Sequence, residues 1–163
     1  MKTTDTSNIP FFHNFIATGF GSGYSPVAPG TAGALVATLI WWGYSAALND
    51  YISIISITAI LVIVFTVLGV WSSGVSEKYW GEDPSRVVVD EMVGTWIALL
   101  AVPENGHWGY MIATFALFRF FDILKPLGIR KMEKLPGGYG IMADDILSGI
   151  YGMIVIFIFR LLV

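Results

Sequence analysis

The chain has 163 residues, enough for one domain and little more. It is 55% hydrophobic and 13% charged with a mean hydropathy of +0.70, against roughly 45–50% and roughly 25% in soluble domains, so an ordinary water-soluble fold is excluded. A net charge of −3 gives no footing for nucleic-acid binding, and the lack of cysteine excludes disulfides, thiolate metal sites and a cysteine nucleophile.

Met1 to Asn8 is polar and lacks the basic-then-apolar order of a signal peptide. In Ile9 to Phe20, Phe12, Phe15, Ile16 and Phe20 recur at helical spacing behind Pro10, which predicts an interfacial helix. Five apolar stretches follow, at residues 32–48, 51–73, 87–102, 108–124 and 146–163. The expected fold is all-α and polytopic, a single domain over residues 1–163 with about five membrane-embedded helices plus the N-terminal interfacial one. Asn49-Asp50 reads as the turn of a helical hairpin.

Charge orients these spans. With the N-terminus in the cytoplasm, the loops on that side hold Lys2, Lys78, Arg86, Lys125, Arg130, Lys131 and Lys134. The opposite loops hold no Lys or Arg, and Arg160 alone sits toward the far side. Accumulation of Lys and Arg on the cytoplasmic side predicts this orientation.

The same topology collects the unusual residues at the cytoplasmic face. Asp90 and Glu91 open the third span, Arg119, Asp122 and Lys125 close the fourth, and Asp144 and Asp145 open the fifth. A Gly-rich loop, residues 19–31, enters the first span and carries Ser25, Gly30 and Thr31. Each feature alone also fits plain helix chemistry. Asp144-Asp145 could cap a helix, Arg119 and Asp122 could be an i,i+3 ion pair, and a lone Gly-rich string is weak evidence. His13 and His107 are isolated and make no ligand set. Convergence favours function, because charges beside a span are costly unless paired or hydrated.

Carboxylates with few His and no Cys suit a hard cation such as Mg²⁺, with Asp90, Glu91, Asp122, Asp144 and Asp145 as candidate catalytic residues and metal ligands. Arg119 and Lys125 would hold a phosphate, assisted by loop N–H groups around Ser25, Gly30 and Thr31. Arg130, with Lys131 and Lys134, would attract anionic lipid headgroups.

Four strings carry a resemblance: Gly-Phe-Gly-Ser-Gly-x-Ser-Pro-x-x-Pro-Gly-Thr (19–31), Val-Val-x-Asp-Glu-x-Val-Gly-x-Trp-Ile (87–97), Phe-Arg-x-Phe-Asp-x-x-Lys-Pro (118–126) and Gly-Gly-x-Gly-Ile-Met-x-Asp-Asp-Ile (137–146). In this order they resemble the phosphatidylglycerophosphatase A family. Ala34, Gly128 and Glu133 depart from that pattern, where Ser, Pro and Asp are common, but no motif carboxylate is lost. The resemblance implies a Mg²⁺-dependent phosphatase of the bacterial inner membrane, multi-pass with its site facing the cytoplasm. It would convert phosphatidylglycerophosphate to phosphatidylglycerol among membrane lipids, with no obligate protein partner. The alternatives are a membrane phosphotransferase, whose Asp-Gly-x-x-Ala-Arg signature is absent, and a small transporter, which would need polar groups at mid-membrane.

Overall fold

The computed structural model describes residues 9–104, 106 and 108–162; the polar stretch 1–8, with Lys2, and His107 lie outside them. Every regular element among the described residues is helical. The order is α1 (Phe11–Ala17), a 3₁₀ turn (Ser22–Tyr24), α2 (Pro29–Ala47), α3 (Tyr51–Trp80), α4 (Val89–Leu99), α5 (Trp108–Leu124), α6 (Ile129–Met132) and α7 (Gly138–Leu162).

Local chemistry sets the boundaries. Pro29 occupies the first turn of α2, where its missing N–H costs nothing. Asp50 caps α3 by accepting from the Ser53 N–H at 2.9 Å, which also makes the Asn49-Asp50 turn. Lys125 ends α5 in the left-handed region at φ +47, with Pro126 barring further helix.

The bundle is organised around α4, whose residues are all buried except Glu91, and which packs against α2, α3, α5 and α7. Trp96 anchors it, donating from Nε1 to the Ala37 carbonyl at 3.0 Å and meeting the Phe65 ring edge-on at 5.2 Å. Small residues let the helix backbones approach closely. Gly94 of α4 meets Gly149 of α7, and Gly138 of α7 meets the Val70 carbonyl of α3. At the far end of α4, Arg160 donates to the Ala101 carbonyl at 2.8 Å and takes up an otherwise orphaned acceptor.

The outer surface is apolar as well. Ile52, Ile63 and Val67 of α3, and Phe157, Ile158 and Leu161 of α7, stand exposed. Two helices, α3 with 30 residues and α7 with 25, are long and apolar enough to cross a membrane. The stretch expected as a span at 87–102 is instead an 11-residue helix. At 1.5 Å per residue it reaches about 16 Å, roughly half a bilayer core, and its neighbours enclose it. The last helix begins at Gly138, eight residues before the apolar run at Ile146 that marked it in the sequence.

Candidate active site

Three helices deliver the acids. Asp90 and Glu91 lie in the first turn of α4, Asp122 in the last turn of α5, and Asp144 and Asp145 in the second turn of α7. The early start of α7 removes the capping explanation for Asp144-Asp145, because both stand inside the helix. All five line one cavity of about 730 Å³, together with Arg119, Lys125 and Gly30.

Asp90, Glu91 and Asp145 are the tightest group, each offering one carboxylate oxygen within 4.8 Å of the others. Burial is deep, Asp145 being 3% exposed and Asp144 5%. Asp90 Oδ1, Glu91 Oε2 and Asp144 Oδ1 are buried with no hydrogen-bond partner among the described residues. Unshared negative charge in such a place is costly. An all-oxygen donor set with unsatisfied buried lone pairs fits a hard divalent cation such as Mg²⁺.

The cations sit beside the acids. Arg119 Nη1 is 2.5 Å from Asp122 Oδ2, so the i,i+3 pair exists. Arg119 Nε is buried without a hydrogen-bond partner, so the guanidinium keeps donor capacity beside the ion pair. Lys125 Nζ bridges Asp144 Oδ2 at 2.5 Å and Glu133 Oε1 at 2.7 Å. Burial works against the Lys125 charge, but the hydrogen bonds to Asp144 and Glu133 outweigh it and hold the ammonium above the usual lysine range. Its positive φ adds local backbone strain of the kind met at functional sites.

The Gly-rich loop contributes less than its composition suggests. Gly30 abuts the Glu91 carboxylate, and a β-carbon there would also lie 3.3 Å from Arg119 Nη1. Ser25 turns its hydroxyl to the Val27 carbonyl at 2.8 Å, away from the cavity, and Thr31 is not part of the wall. Arg130 is exposed on α6 and likewise outside it. Sequence reasoning missed Glu77, Glu82, Asp83, Glu133 and Lys134 as wall residues. The signal was the abrupt polarity of residues 77–83 at the end of an apolar helix.

The phosphatidylglycerophosphatase A family model matches residues 15–160, nearly the whole described chain. The chain belongs to the phosphatidylglycerophosphatase A family. Two relatives carry that name: a Haemophilus influenzae protein, 41% identical over 88% of this chain and 86% of its own, and an Escherichia coli protein, 37% identical over 84% and 77%. A Bacteroides thetaiotaomicron protein is 57% identical over 92% of this chain and 94% of its own; it bears the provisional name phosphatidylinositol-3-phosphatase. No solved structure matches the chain. As a phosphatidylglycerophosphatase A family member the chain is an enzyme, a phosphoric monoester hydrolase.

Proposed function

We propose that this chain is a Mg²⁺-dependent lipid phosphatase that hydrolyses phosphatidylglycerophosphate to phosphatidylglycerol and phosphate. The observation that carries the reading is convergence: five carboxylates from α4, α5 and α7 meet Arg119 and Lys125 on one cavity, in a chain of this family. The cavity lies in the range of small-ligand sites, about 300–1,000 Å³, and is roomy enough for a phosphorylated glycerol headgroup.

Asp90, Glu91 and Asp145 would hold the cation, with Asp122 and Asp144 beside them. When bound, such an ion polarises phosphoryl oxygens and lowers the pKa of a bound water. The chain's own residues do the rest. Arg119 turns its free N–H groups to the phosphate while Asp122 fixes its guanidinium. Lys125, held by Asp144 and Glu133, adds a permanent positive charge where negative charge grows on the departing group. The lack of a side chain at Gly30 makes room for the Glu91 carboxylate, which lies where a β-carbon would sit, beside Arg119.

We further infer a bacterial inner-membrane, multi-pass arrangement as one domain. α3 and α7 cross the bilayer, α2 and α5 complete an embedded bundle around α4, and α1 lies at the interface on exposed Phe11, Phe12 and Phe15. The Lys and Arg asymmetry supports a site that opens to the cytoplasm.

The name of the Bacteroides relative favours a second reading, a phosphoinositide 3-phosphatase. Both lipids present a phosphate monoester on the headgroup of a diacylglycerol phosphodiester. Phosphate release by the detergent-purified protein separates them, with phosphatidylglycerophosphate, phosphatidylinositol 3-phosphate and phosphatidic acid each tested in Mg²⁺ and in EDTA. We expect Mg²⁺-dependent release, fastest from phosphatidylglycerophosphate. Faster release from the inositol lipid moves the function to the second reading, and no release from any lipid overturns both.

A further inference from the structure

We propose that the site takes two divalent cations, one on Asp90, Glu91 and Asp145 and a second on Asp122 and Asp144. The inference rests on the metal-dependent reading above and extends it to the number of ions and their division among the carboxylates.

Charge balance is the first ground. The five carboxylates bring five negative charges, and Arg119 and Lys125 return two, leaving three. One divalent cation still leaves a net negative wall, facing a phosphate monoester of about −1.5 to −2 at neutral pH. A second cation turns this central group of side chains from −1 to +1, so the phosphate meets a positive centre. The rest of the cavity supplies no substitute, since Glu77, Glu82, Asp83 and Glu133 outnumber its remaining cation, Lys134.

The second ground is an orphaned atom outside the tight triad. Asp144 is 5% exposed, its Oδ2 takes Lys125, and its Oδ1 is buried with no partner among the described residues. Consecutive residues on a helix diverge by about 100°, so Asp144 and Asp145 serve different sides of the cluster. Asp145 joins Asp90 and Glu91, and Asp144 is left toward Lys125 and α5. A Mg²⁺ ion keeps most of its waters and needs only one or two carboxylates, so Asp122 and Asp144 suffice for the second site. Two ions held there would supply Lewis-acid stabilisation of the charge that develops in a phosphoryl transfer.

Mn²⁺ is the probe, because Mg²⁺ is silent in electron paramagnetic resonance. The full chain in detergent micelles is dialysed to equilibrium against Mn²⁺, bound metal is counted per chain, and the spectrum is recorded. We expect two bound ions with a broadened, spin-coupled signal, falling to one ion with an uncoupled six-line signal in Asp144→Asn and Asp122→Asn. A wild-type count of one with six uncoupled lines, beside intact Mg²⁺-dependent phosphate release, overturns the second ion and leaves the proposed function standing. Two coupled ions retained in both variants overturn the assignment to Asp122 and Asp144. No bound Mn²⁺ together with EDTA-resistant phosphate release overturns the metal-dependent reading itself, and with it this one.

Discussion

Gly94 and Gly149 touch through their backbones one helical turn beyond Asp90 and Asp145 respectively, so the α4–α7 crossing sets the separation of two carboxylates in the candidate metal group. A β-carbon on Gly149 would strike the Gly94 carbonyl and lie 3.0 Å from its α-carbon. Gly149→Ala should therefore push the helices apart. We expect a loss of about 1–3 kcal/mol in stability, the usual cost of overpacking. Turnover should fall about 100-fold, as a misplacement near 1 Å does. Thermal unfolding in detergent and phosphate release measure the two; wild-type values for both would contradict the spacer role.

Gly30→Ala is a local counterpart. Its methyl group, at the start of α2, would fall on the Glu91 carboxylate of α4 and lie 3.3 Å from Arg119 Nη1, both on the cavity wall. Turnover should drop about 100-fold while the melting temperature stays close to wild type. Equal losses of stability and turnover would place the defect in folding instead.

Arg119→Lys keeps the charge beside Asp122 but removes the planar fork. A structural ion pair tolerates that change, and a bidentate phosphate clamp does not. We expect turnover lower by about 100- to 1,000-fold, the range found for loss of one oxyanion donor. Near-normal turnover returns Arg119 to a helix-end ion pair.

Lys125→Met tests the bridge between α5 and α7. Two charge-assisted hydrogen bonds are lost, at a cost of about 1–3 kcal/mol after partial solvent exposure is allowed for. Its pKa is raised in the folded state, so its contribution is complete below the unfolded value of about 10.4 and fades as pH rises above it. The difference in melting temperature between wild type and variant should hold level from about pH 7 to 9 and narrow only in stronger alkali. A difference that disappears near pH 8 would show that the ammonium is not held.

Asp145→Asn should separate stability from activity. It keeps the shape of a 3%-exposed residue and removes one of several crowded like charges. In EDTA the variant should melt no lower than wild type, whereas its turnover in Mg²⁺ should fall at least about 100-fold. A variant that melts far below wild type in EDTA would mean that the carboxylate has a structural partner.

The sequence by itself determined the class and the ingredients. Apolar runs punctuated at Asn49-Asp50 and Pro126 dictate helices, and four ordered motifs dictate the family, because helix periodicity, turn chemistry and family strings are local properties. It also singled out every carboxylate of the central cluster. Only the tertiary structure decided that α4 is a short helix enclosed by four others, since a buried helix and a membrane span have the same composition. Likewise, it alone removed Ser25, Thr31 and Arg130 from the cavity wall and added Glu77 and Glu133. Whether a polar side chain faces a cavity depends on the rotation and crossing of packed helices, here fixed by contacts such as Gly94–Gly149 between residues far apart in the chain.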